Sequence, residues 1–439
     1  MTGCRTLPGD TIPRYVPAAG DTEKAAIHRD YLSFLSGVTD QCGAIGQYYR
    51  DGSPVIIVNT PDLVRALLID KADDLTKGGF ALSAFRALLG ESLSMTEGDR
   101  HHQLRRLLAP VFSRRKIAGY ASRIVRVADT VCADWADYAD IDLFVDLHRL
   151  TIRTLGHALI AEPTLWAETG QFCQARECLW QWINSLAGER RRLADPTTDI
   201  LDTQVDMAIA AVQNAVDQVI HDRRQGLSRT DDLLADILDT NDRAAQRLDP
   251  TEVRDQVLAL LFAAHETSAA ALFWSLYLLA GHPAVLGRVE QELDDLLDGR
   301  LPELADLSAL PYTMQVVKEA MRLYPPAARQ FRVAVRDTRV GSHSITEGMP
   351  VSVCHYVLHR SPESFPEPNR FVPERFAPAA PPLRPLSYLP FGAGEHTCLG
   401  RHYAMQEIHL IAGSVPGHGA AEAPQRIVPR PRLRRQARS

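Results

Sequence analysis

Apolar residues recur every three or four positions along most of this chain, which is the spacing of a helix that buries one face. The pattern predicts long helices at residues 118–137, 204–224, 250–280, 283–297 and 311–323. At 1.5 Å per residue, the helix at 250–280 would extend over about 45 Å, enough to cross a large domain. Helices therefore dominate the predicted fold.

Strand signals are short and few. Residues 46–50 and 55–58 flank Asp51 and Gly52, a pair that favours a tight turn, so they predict a β-hairpin. Thr60 precedes Pro61 at the start of the next apolar run, which predicts a helix capped by threonine with proline at its first position. Short strands are also predicted at 332–340 and 351–353. The expected fold class is mainly α with small β-sheets.

The domain organisation follows from composition. The chain has 439 residues, of which 45% are hydrophobic and 23% charged, as in ordinary globular proteins. Length alone would allow about three domains, but no linker-like segment divides the chain before its C-terminal end. We predict an N-terminal extension at 1–39, a single large domain at 40–412, and an atypical tail at 413–439. The tail is rich in Gly, Pro and Arg, so we expect its helix to break at Gly413 and Pro416 and the rest to be poorly ordered.

Charge and cysteine usage narrow the class of protein. The formal net charge of −6 does not favour binding to nucleic acid or to an anionic membrane. The seven cysteines lack the paired spacing of a disulfide framework or a zinc site, and they suit a reducing cytoplasm. The N-terminus has no apolar core, and we find no run of about eighteen apolar residues. The expectation is a cytoplasmic protein that binds neither membrane nor nucleic acid.

One cysteine, Cys398, lies in the glycine-rich run PFGAGEHTCLG at 390–400. Glycines allow the backbone to approach the sulfur closely, and a helix beginning near Leu399 and Gly400 would add its positive end. Both effects favour a thiolate, the form that serves as an axial ligand of haem iron. The alternative is a buried structural cysteine in a glycine-rich turn.

Five positions of this loop match the pattern F-x-x-G-x-[HR]-x-C-x-G: Phe391, Gly394, His396, Cys398 and Gly400. The chain therefore resembles the cytochrome P450 family. The resemblance implies a P450-like fold and a haem b cofactor held by this loop. It also implies that Cys398 is the ligand of the iron.

A second match is E-x-x-R at Glu319 and Arg322, followed by F-x-P-x-R-F at 371–376, which contains Arg375. On a helix, residues three apart share a face. The resemblance implies that the three charges form one buried network that positions the core beside the haem, since burying ions is costly unless all their hydrogen bonds are met. The alternative is an exposed salt bridge on a helix surface.

The middle of the helix at 250–280 reads FAAHETSAA, which is similar to the family pattern [AG]-G-x-[DE]-T-[TS]. The resemblance implies catalytic roles for Thr267, which would hold a water, and for Glu266, which would relay protons from solvent. Ala264 occupies the position of the usual glycine. The alternative is a threonine that bonds back to its own helix beside a surface glutamate.

Haem has two propionates, and the resemblance implies that His101, Arg105, Arg332 and His396 bind them through charge-assisted hydrogen bonds. The rival interpretation is a solvated basic helix face. The basic stretch consists of Arg100, His101, His102, Arg105, Arg106, Arg114, Arg115 and Lys116. Cations left over on the cysteine side would form a docking face for an acidic ferredoxin, which a separate reductase would supply with electrons.

The resemblance also implies that the substrate pocket draws on residues 76–95, 173–186 and 327–331, and that the substrate is a hydrophobic small molecule. Arg329 could bind a propionate, which we expect first, or a polar or carboxylate substrate. The apolar candidates, for which ordinary core packing is the alternative, are Phe80, Leu82, Phe85, Leu88 and Trp182.

The predicted function is a haem-thiolate monooxygenase of secondary metabolism that uses dioxygen and two electrons. A peroxide-dependent haem oxidase and a haem protein without turnover are alternatives. A different class, a magnesium-dependent lyase, is suggested by the D-D-x-x-D pattern at Asp294, Asp295 and Asp298. That pattern lies in an acidic amphipathic helix end, which a solvated face explains better.

Overall fold

The computed structural model describes residues 12–18, 21–50, 52–78, 80–136, 142–161, 196–227 and 231–415. Within these ranges the chain is mainly helical. The helices are α1 (Glu23–Arg29), α2 (Tyr31–Cys42), α3 (Pro61–Arg65), α4 (Phe80–Leu89), α5 (Gly98–Leu108), α6 (Arg114–Ala118), α7 (Ala121–Ala136), α8 (Leu143–Leu159), α9 (Pro196–Arg224), α10 (Leu233–Arg243), α11 (Pro250–Ala280), α12 (Pro283–Leu297), α13 (Pro311–Leu323), α14 (His355–Leu358) and α15 (Arg401–Ser414).

Two small sheets lie among the helices. Their strands are β1 (Ile45–Arg50), β2 (Ser53–Val58), β3 (Leu75–Thr76), β4 (Gln330–Ala334), β5 (Thr338–Val340), β6 (His343–Ile345) and β7 (Pro350–Val353). The larger sheet has the order β1-β2-β7-β4-β3, with the β2–β7 pair parallel, and β5 pairs with β6 alone. The hairpin β1–β2 agrees with the prediction, whereas the strand expected at 332–340 is split between β4 and β5.

Helices α11, α12 and α13 have the predicted bounds, because each begins at a proline. Helices α12 and α13 carry an apolar stripe, whereas α11 is apolar on most sides, as suits a central helix. The pattern did not reveal α5, whose sequence GDRHHQLRRLL is mostly charged and which buries only one narrow face. The N-cap prediction at Thr60 is wrong in one respect. The residue stands at the cap position of α3, but its side chain makes no capping hydrogen bond.

Helix α11 runs through the largest apolar cluster and packs against α8, α13 and α15. Its start is fixed by a capping box, in which Asp249 and Glu252 each accept a hydrogen bond from the other's backbone N–H. By length and composition α11 could also span a membrane, a test that core helices of this kind pass as well. It forms the central support of the fold.

Both ends of the predicted large domain are continuous with their neighbours. Helix α2 crosses residue 39, and its Phe34, Leu35 and Val38 pack with Tyr48 of the hairpin. At the other end, α15 ends at Ser414, one residue after Gly413, so the helix stops between the two predicted break points, with Gly413 packed against Leu310. Residues 416–439 lie outside the described ranges, so the division into three segments stays a prediction.

Candidate active site

The cysteine loop precedes α15 and is closed by its own backbone. The Cys398 N–H donates to the Phe391 carbonyl at 2.9 Å, after a short 3-10 turn at Gly394–His396. Gly394 has a φ of 71°, and an added Cβ would lie 2.3 Å from the Leu68 carbonyl oxygen, so only glycine fits there. Gly400 caps α15 with an ordinary φ. An added Cβ there would find only Phe112 within 4 Å, which leaves open space beside Cys398.

The Cys398 side chain opens onto an internal cavity. Burial raises the pKa of its thiol, and this outweighs the lowering effects of the Gly400 and Arg401 N–H groups and of the Arg105 charge. The loop and the helix end act in the predicted direction, but they do not overcome desolvation. Coordination to a metal cation, which displaces the thiol proton, would complete the change to thiolate.

The cavity has a volume of about 460 Å³ and is mostly apolar, with α8 and α11 providing much of its wall. Leu155, Leu159, Leu260 and Ala263 are part of that wall. Among the described lining residues there is no carboxylate, whereas four lysine or arginine side chains line the cavity. These cations are Lys77, Arg105, Arg329 and Arg332.

Three predicted cofactor residues, His101, Arg105 and His396, lie near one another at one end of this cavity. His101 Nε2 lies 3.1 Å from His396 Nδ1, and His396 Nε2 lies 2.9 Å from a carboxylate oxygen of Glu97. Burial, together with the nearby charges of His396, Lys77 and Arg105, lowers the pKa of His101 to about 4. Within the described structure His101 Nδ1 is buried without a partner, so it can donate to a carboxylate placed in the cavity.

Lys77 belongs to the same cluster, although no motif pointed to it. Its Nζ donates to the carbonyls of Leu93 and Thr96, and burial lowers the pKa of Lys77 to about 8. The sheet register explains its place: Thr76 pairs with Val333, so the next residue, Lys77, lies beside Arg332. This residue could be found only from the pairing of β3 with β4, which sequence spacing does not indicate.

This end of the cavity fits haem. The orphaned His101 Nδ1 and the cations Lys77, Arg105 and Arg332 offer donors for two propionates, and Cys398 offers a thiolate for the iron.

On α11, Thr267 and Ala264 line the cavity. The Thr267 hydroxyl donates to the Ala263 carbonyl at 2.8 Å, which leaves its oxygen available as an acceptor on the cavity side. Glu266, by contrast, is half-buried and is not among the residues that line the cavity. Of the predicted catalytic pair, Thr267 therefore lines the cavity and Glu266 does not.

Beside Ser268, the residue after Thr267, lies a buried acid that sequence reasoning missed. Glu407 of α15 accepts hydrogen bonds from Thr154 at 2.5 Å and from Tyr403 at 3.2 Å. Burial raises the pKa of Glu407 to about 7, although the hydroxyls of Ser268, Thr154 and Tyr403 oppose that rise. A buried glutamate on an apolar helix stripe carries no spacing signal, so its position becomes clear only when α8, α11 and α15 are packed together.

The three predicted network charges are in contact. Glu319 and Arg322 are fully buried, and Arg322 Nε lies 2.6 Å and Nη2 2.8 Å from the two Glu319 carboxylate oxygens. Arg375 Nε approaches Glu319 at 3.3 Å. The Arg322 guanidinium also donates to the carbonyls of His359, Pro368 and Arg370, so it is saturated with acceptors.

Arg329 has different neighbours from the cations around His101, because Tyr31, Tyr48 and Phe331 contact its guanidinium. The carboxylates of Glu97 and Glu395 offset the effect of burial on the pKa of Arg332, but they have no such effect on Arg329. The expectation that Arg329 binds a propionate stays a prediction. Arg329 Nη1 donates to the Tyr48 hydroxyl at 2.6 Å.

Other candidates fall outside the cavity. Phe85 and Leu88 pack in the core, with the Phe85 ring 4.7 Å from that of Phe262, rather than lining the cavity. Residues 173–186, including Trp182, and the side chains of Phe80 and Leu82 lie outside what the structure describes. The aspartates of the D-D-x-x-D pattern are exposed at the end of α12, away from the cavity, which agrees with a solvated face.

On the cysteine side, two cations of the basic stretch are paired, Arg100 with Glu252 and Lys116 with Asp236. Arg114 and Arg115 are exposed, as is Arg401 at the start of α15. Burial lowers the pKa of His402, and the charges of Arg114 and Arg401 lower it further, so these cations lie close to one another.

A cysteine that opens into an apolar cavity, beside cations suited to two carboxylates, is the arrangement found in haem-thiolate proteins. The sequence model of the cytochrome P450 family matches residues 13–415. The chain belongs to the cytochrome P450 family, and it is an oxidoreductase of the monooxygenase type with a haem-iron cofactor.

Several known proteins are similar to this chain. A cyclooctat-9-en-7-ol 5-monooxygenase of Streptomyces melanosporofaciens is 32% identical over 92% of this chain and 88% of that protein. A pentalenene oxygenase of Streptomyces avermitilis is 27% identical over 93% of this chain and 90% of its own. The crystal structure of the cytochrome P450DA haem domain superposes with a TM-score of 0.83 at 25% identity, covering 92% of this chain and 90% of that one.

Proposed function

We propose that this P450 inserts one oxygen atom from dioxygen into a hydrophobic, terpenoid-type small molecule in secondary metabolism. The observation that carries the proposal is the opening of Cys398 into an apolar cavity large enough for a small molecule. The names of the two Streptomyces relatives support the substrate class. The site residues are the ones identified above, within a haem domain at 40–412, and we propose a cytoplasmic location.

We propose haem b as the cofactor, held by Cys398 and by the loop residues Phe391, Gly394, His396 and Gly400. His101, Arg105, Arg332 and Lys77 would hold its propionates. When bound, haem supplies the redox chemistry that reduces dioxygen and transfers one oxygen atom to a C–H bond. The reaction consumes the substrate, dioxygen, two electrons and two protons, and it yields the hydroxylated product and water.

The chain's own task is to deliver those two protons without releasing reduced oxygen. Thr267 Oγ1 donates to the Ala263 carbonyl, so it can accept a hydrogen bond from a water and keep that water oriented in the cavity. Glu266, which does not line the cavity, is proposed to exchange protons with solvent. A peroxide-dependent reaction remains the second candidate, although retention of this acid–threonine pair favours dioxygen.

Electrons are proposed to come from a separate ferredoxin and its reductase. The exposed cations Arg114 and Arg401 both act on His402, four residues after Cys398, and we propose that an acidic protein would be attracted and oriented there by charge. Docking there would bring the donor close to the proposed haem ligand.

The experiment is a screen of terpene hydrocarbons and alcohols against the purified holoenzyme, followed by turnover with ferredoxin, its reductase and NADPH. For a substrate found in this way, we expect Thr267→Ala to lower the product formed per electron pair, with hydrogen peroxide rising in its place. General acid catalysis is typically worth about 10²- to 10⁴-fold, so a large fall is expected.

The matched control is Ser275→Ala on the same helix. The Ser275 hydroxyl also bonds back to a helix carbonyl, that of Ala271 at 2.7 Å, but it does not line the cavity. Unchanged coupling is expected for this variant. Equal coupling in Thr267→Ala and wild type would contradict the proton-delivery role, and turnover driven by peroxide but not by the ferredoxin system would favour the second candidate.

A further inference from the structure

The charges of the cavity do not balance if haem is its only anion. Four basic side chains line the described part of the cavity, and no carboxylate does. Burial lowers the pKa of Lys77 and of Arg332, and the carboxylates of Glu97 and Glu395 act on both. Arg105 also acts on Lys77, which ties these three cations into one group. The two propionates, together with the nearby carboxylates of Glu97 and Glu395, account for the charges of that group and leave Arg329 without an anion.

Arg329 is held firmly but has few hydrogen bonds. Its guanidinium carbon lies 3.6 Å from the centroid of the Phe331 ring and 4.7 Å from that of the Tyr31 ring. Nη1 donates to the Tyr48 hydroxyl at 2.6 Å, the one hydrogen bond that its side chain makes within the described structure. Since a guanidinium has five N–H donors, most of its capacity is unused.

Desolvation makes this arrangement unfavourable without an anion. Burial lowers the pKa of Arg329 to about 9, and the nearby Cys354 offsets this only in part. Arg329 is half-buried, and a cation that has lost much of its water is normally paired. The aromatic rings compensate only partly for that loss. A planar guanidinium fixed by stacking matches a carboxylate through two parallel hydrogen bonds.

We propose that Arg329 binds a carboxylate of the substrate, so that the preferred substrate is an apolar skeleton bearing one carboxylic acid. This inference rests on the proposed monooxygenase function, because it assumes that the cavity around Arg329 receives the substrate. The apolar wall would hold the carbon skeleton, and the anchored acid would fix which carbon faces the haem side of the cavity.

The test measures the equilibrium dissociation constants of matched acid and alcohol pairs on the holoenzyme, by dialysis and by the absorbance change of the haem. The pairs increase in size from cyclohexanecarboxylic acid and cyclohexylmethanol to abietic acid and abietinol. At least one acid is expected to bind tenfold or more tightly than its alcohol, the amount that a charge-assisted hydrogen bond contributes. If no acid binds more tightly than its alcohol, the proposal is wrong.

Variants then assign the preference to one residue. Arg329→Gln is expected to weaken the acid about ten- to a hundredfold while changing the alcohol less than twofold, and Arg329→Lys should fall between. The matched control is Arg360→Gln. Arg360 also stacks on an aromatic ring, that of Tyr356 at 3.7 Å, but it does not line the cavity. Equal weakening of acid and alcohol in Arg329→Gln would make Arg329 a structural residue.

Different results would contradict the Arg329 assignment and the monooxygenase function. If neutral terpenes bind and are oxidised but acids gain nothing, the Arg329 assignment is wrong and the monooxygenase function stands. If acids bind with an Arg329-dependent preference but no compound is oxidised with any electron source, the proposed function is wrong and the anion site stands.

Discussion

Arg322 and Arg329 lie close together in the sequence and both are inside the molecule, but their surroundings differ. Arg322 contacts both oxygens of Glu319 and three backbone carbonyls, whereas Arg329 donates once, to Tyr48. A buried cation with every donor satisfied stabilises one arrangement of the chain, and removing its partner is costly. A buried cation with unused donors that faces a cavity is available to a ligand. Completeness of hydrogen bonding thus separates structural from binding arginines.

The same contrast holds for two buried acids. Glu319 faces two arginines, and Glu407 faces only hydroxyl groups. Burial therefore raises the pKa of Glu407 to about 7. A buried acid without nearby cations binds a proton more tightly than it would in water.

The largest expected effect comes from removing the carboxylate that pairs with Arg322. Glu319→Ala leaves Arg322 and Arg375 without their carboxylate in the interior, which should lower the free energy of unfolding by about 3–5 kcal/mol. Urea unfolding and the yield of haem-bound protein measure the loss. The control, Arg243→Ala, removes an exposed pair with Asp239 and should change stability by no more than about 0.5 kcal/mol. Equal stability of Glu319→Ala and wild type would refute the buried network.

A smaller effect is expected from the titration of Glu407, which makes stability depend on pH. The pKa of Glu407 is raised from 4.5 in the unfolded chain to about 7 in the fold. The folded state therefore binds the proton more tightly, and the resulting stability is complete below about pH 4.5 and is lost as pH rises towards 7. At 1.36 kcal/mol per pKa unit, the change is about 3 kcal/mol.

The measurement compares wild type with Glu407→Gln, which carries no titrating proton, by chemical unfolding between pH 4.5 and 8. We expect the difference in unfolding free energy between the two proteins to fall by that amount and then to level off. Asp239→Asn on the surface of α10 serves as the control. A difference that does not vary with pH would mean that Glu407 remains ionised in the fold.

The sequence predicts those site residues whose roles depend on their neighbours in the chain, and it does not predict those whose roles depend on contacts with distant segments. Loop motifs are local, so Cys398, Gly394 and His396 could be recognised from a single decapeptide, and α11 to α13 from apolar spacing with a proline at the start. Lys77 and Glu407 could not be recognised, because they acquire their roles from contacts with distant segments, β4 for one and α8 for the other.

Arg329 shows a further limit. Sequence could place it in a segment beside the haem, but it could not distinguish a propionate ligand from a substrate ligand. That choice depends on which charges lie near its guanidinium, and Phe331, Tyr31 and Tyr48 are its neighbours instead of Glu97. The charges around the cavity therefore help to assign a ligand to Arg329, which a sequence motif alone could not do.

The proposed function requires Cys398 to be the ligand of haem iron. The most direct measurement is the absorbance spectrum of the reduced, carbon monoxide-bound protein for wild type, Cys398→Ala and the control Cys132→Ala, which alters a buried cysteine outside the cavity. Wild type and Cys132→Ala are expected to have the red-shifted band of a thiolate ligand, and Cys398→Ala is expected to lack it. A red-shifted band that persists in Cys398→Ala would contradict the account, because another residue would then be the ligand.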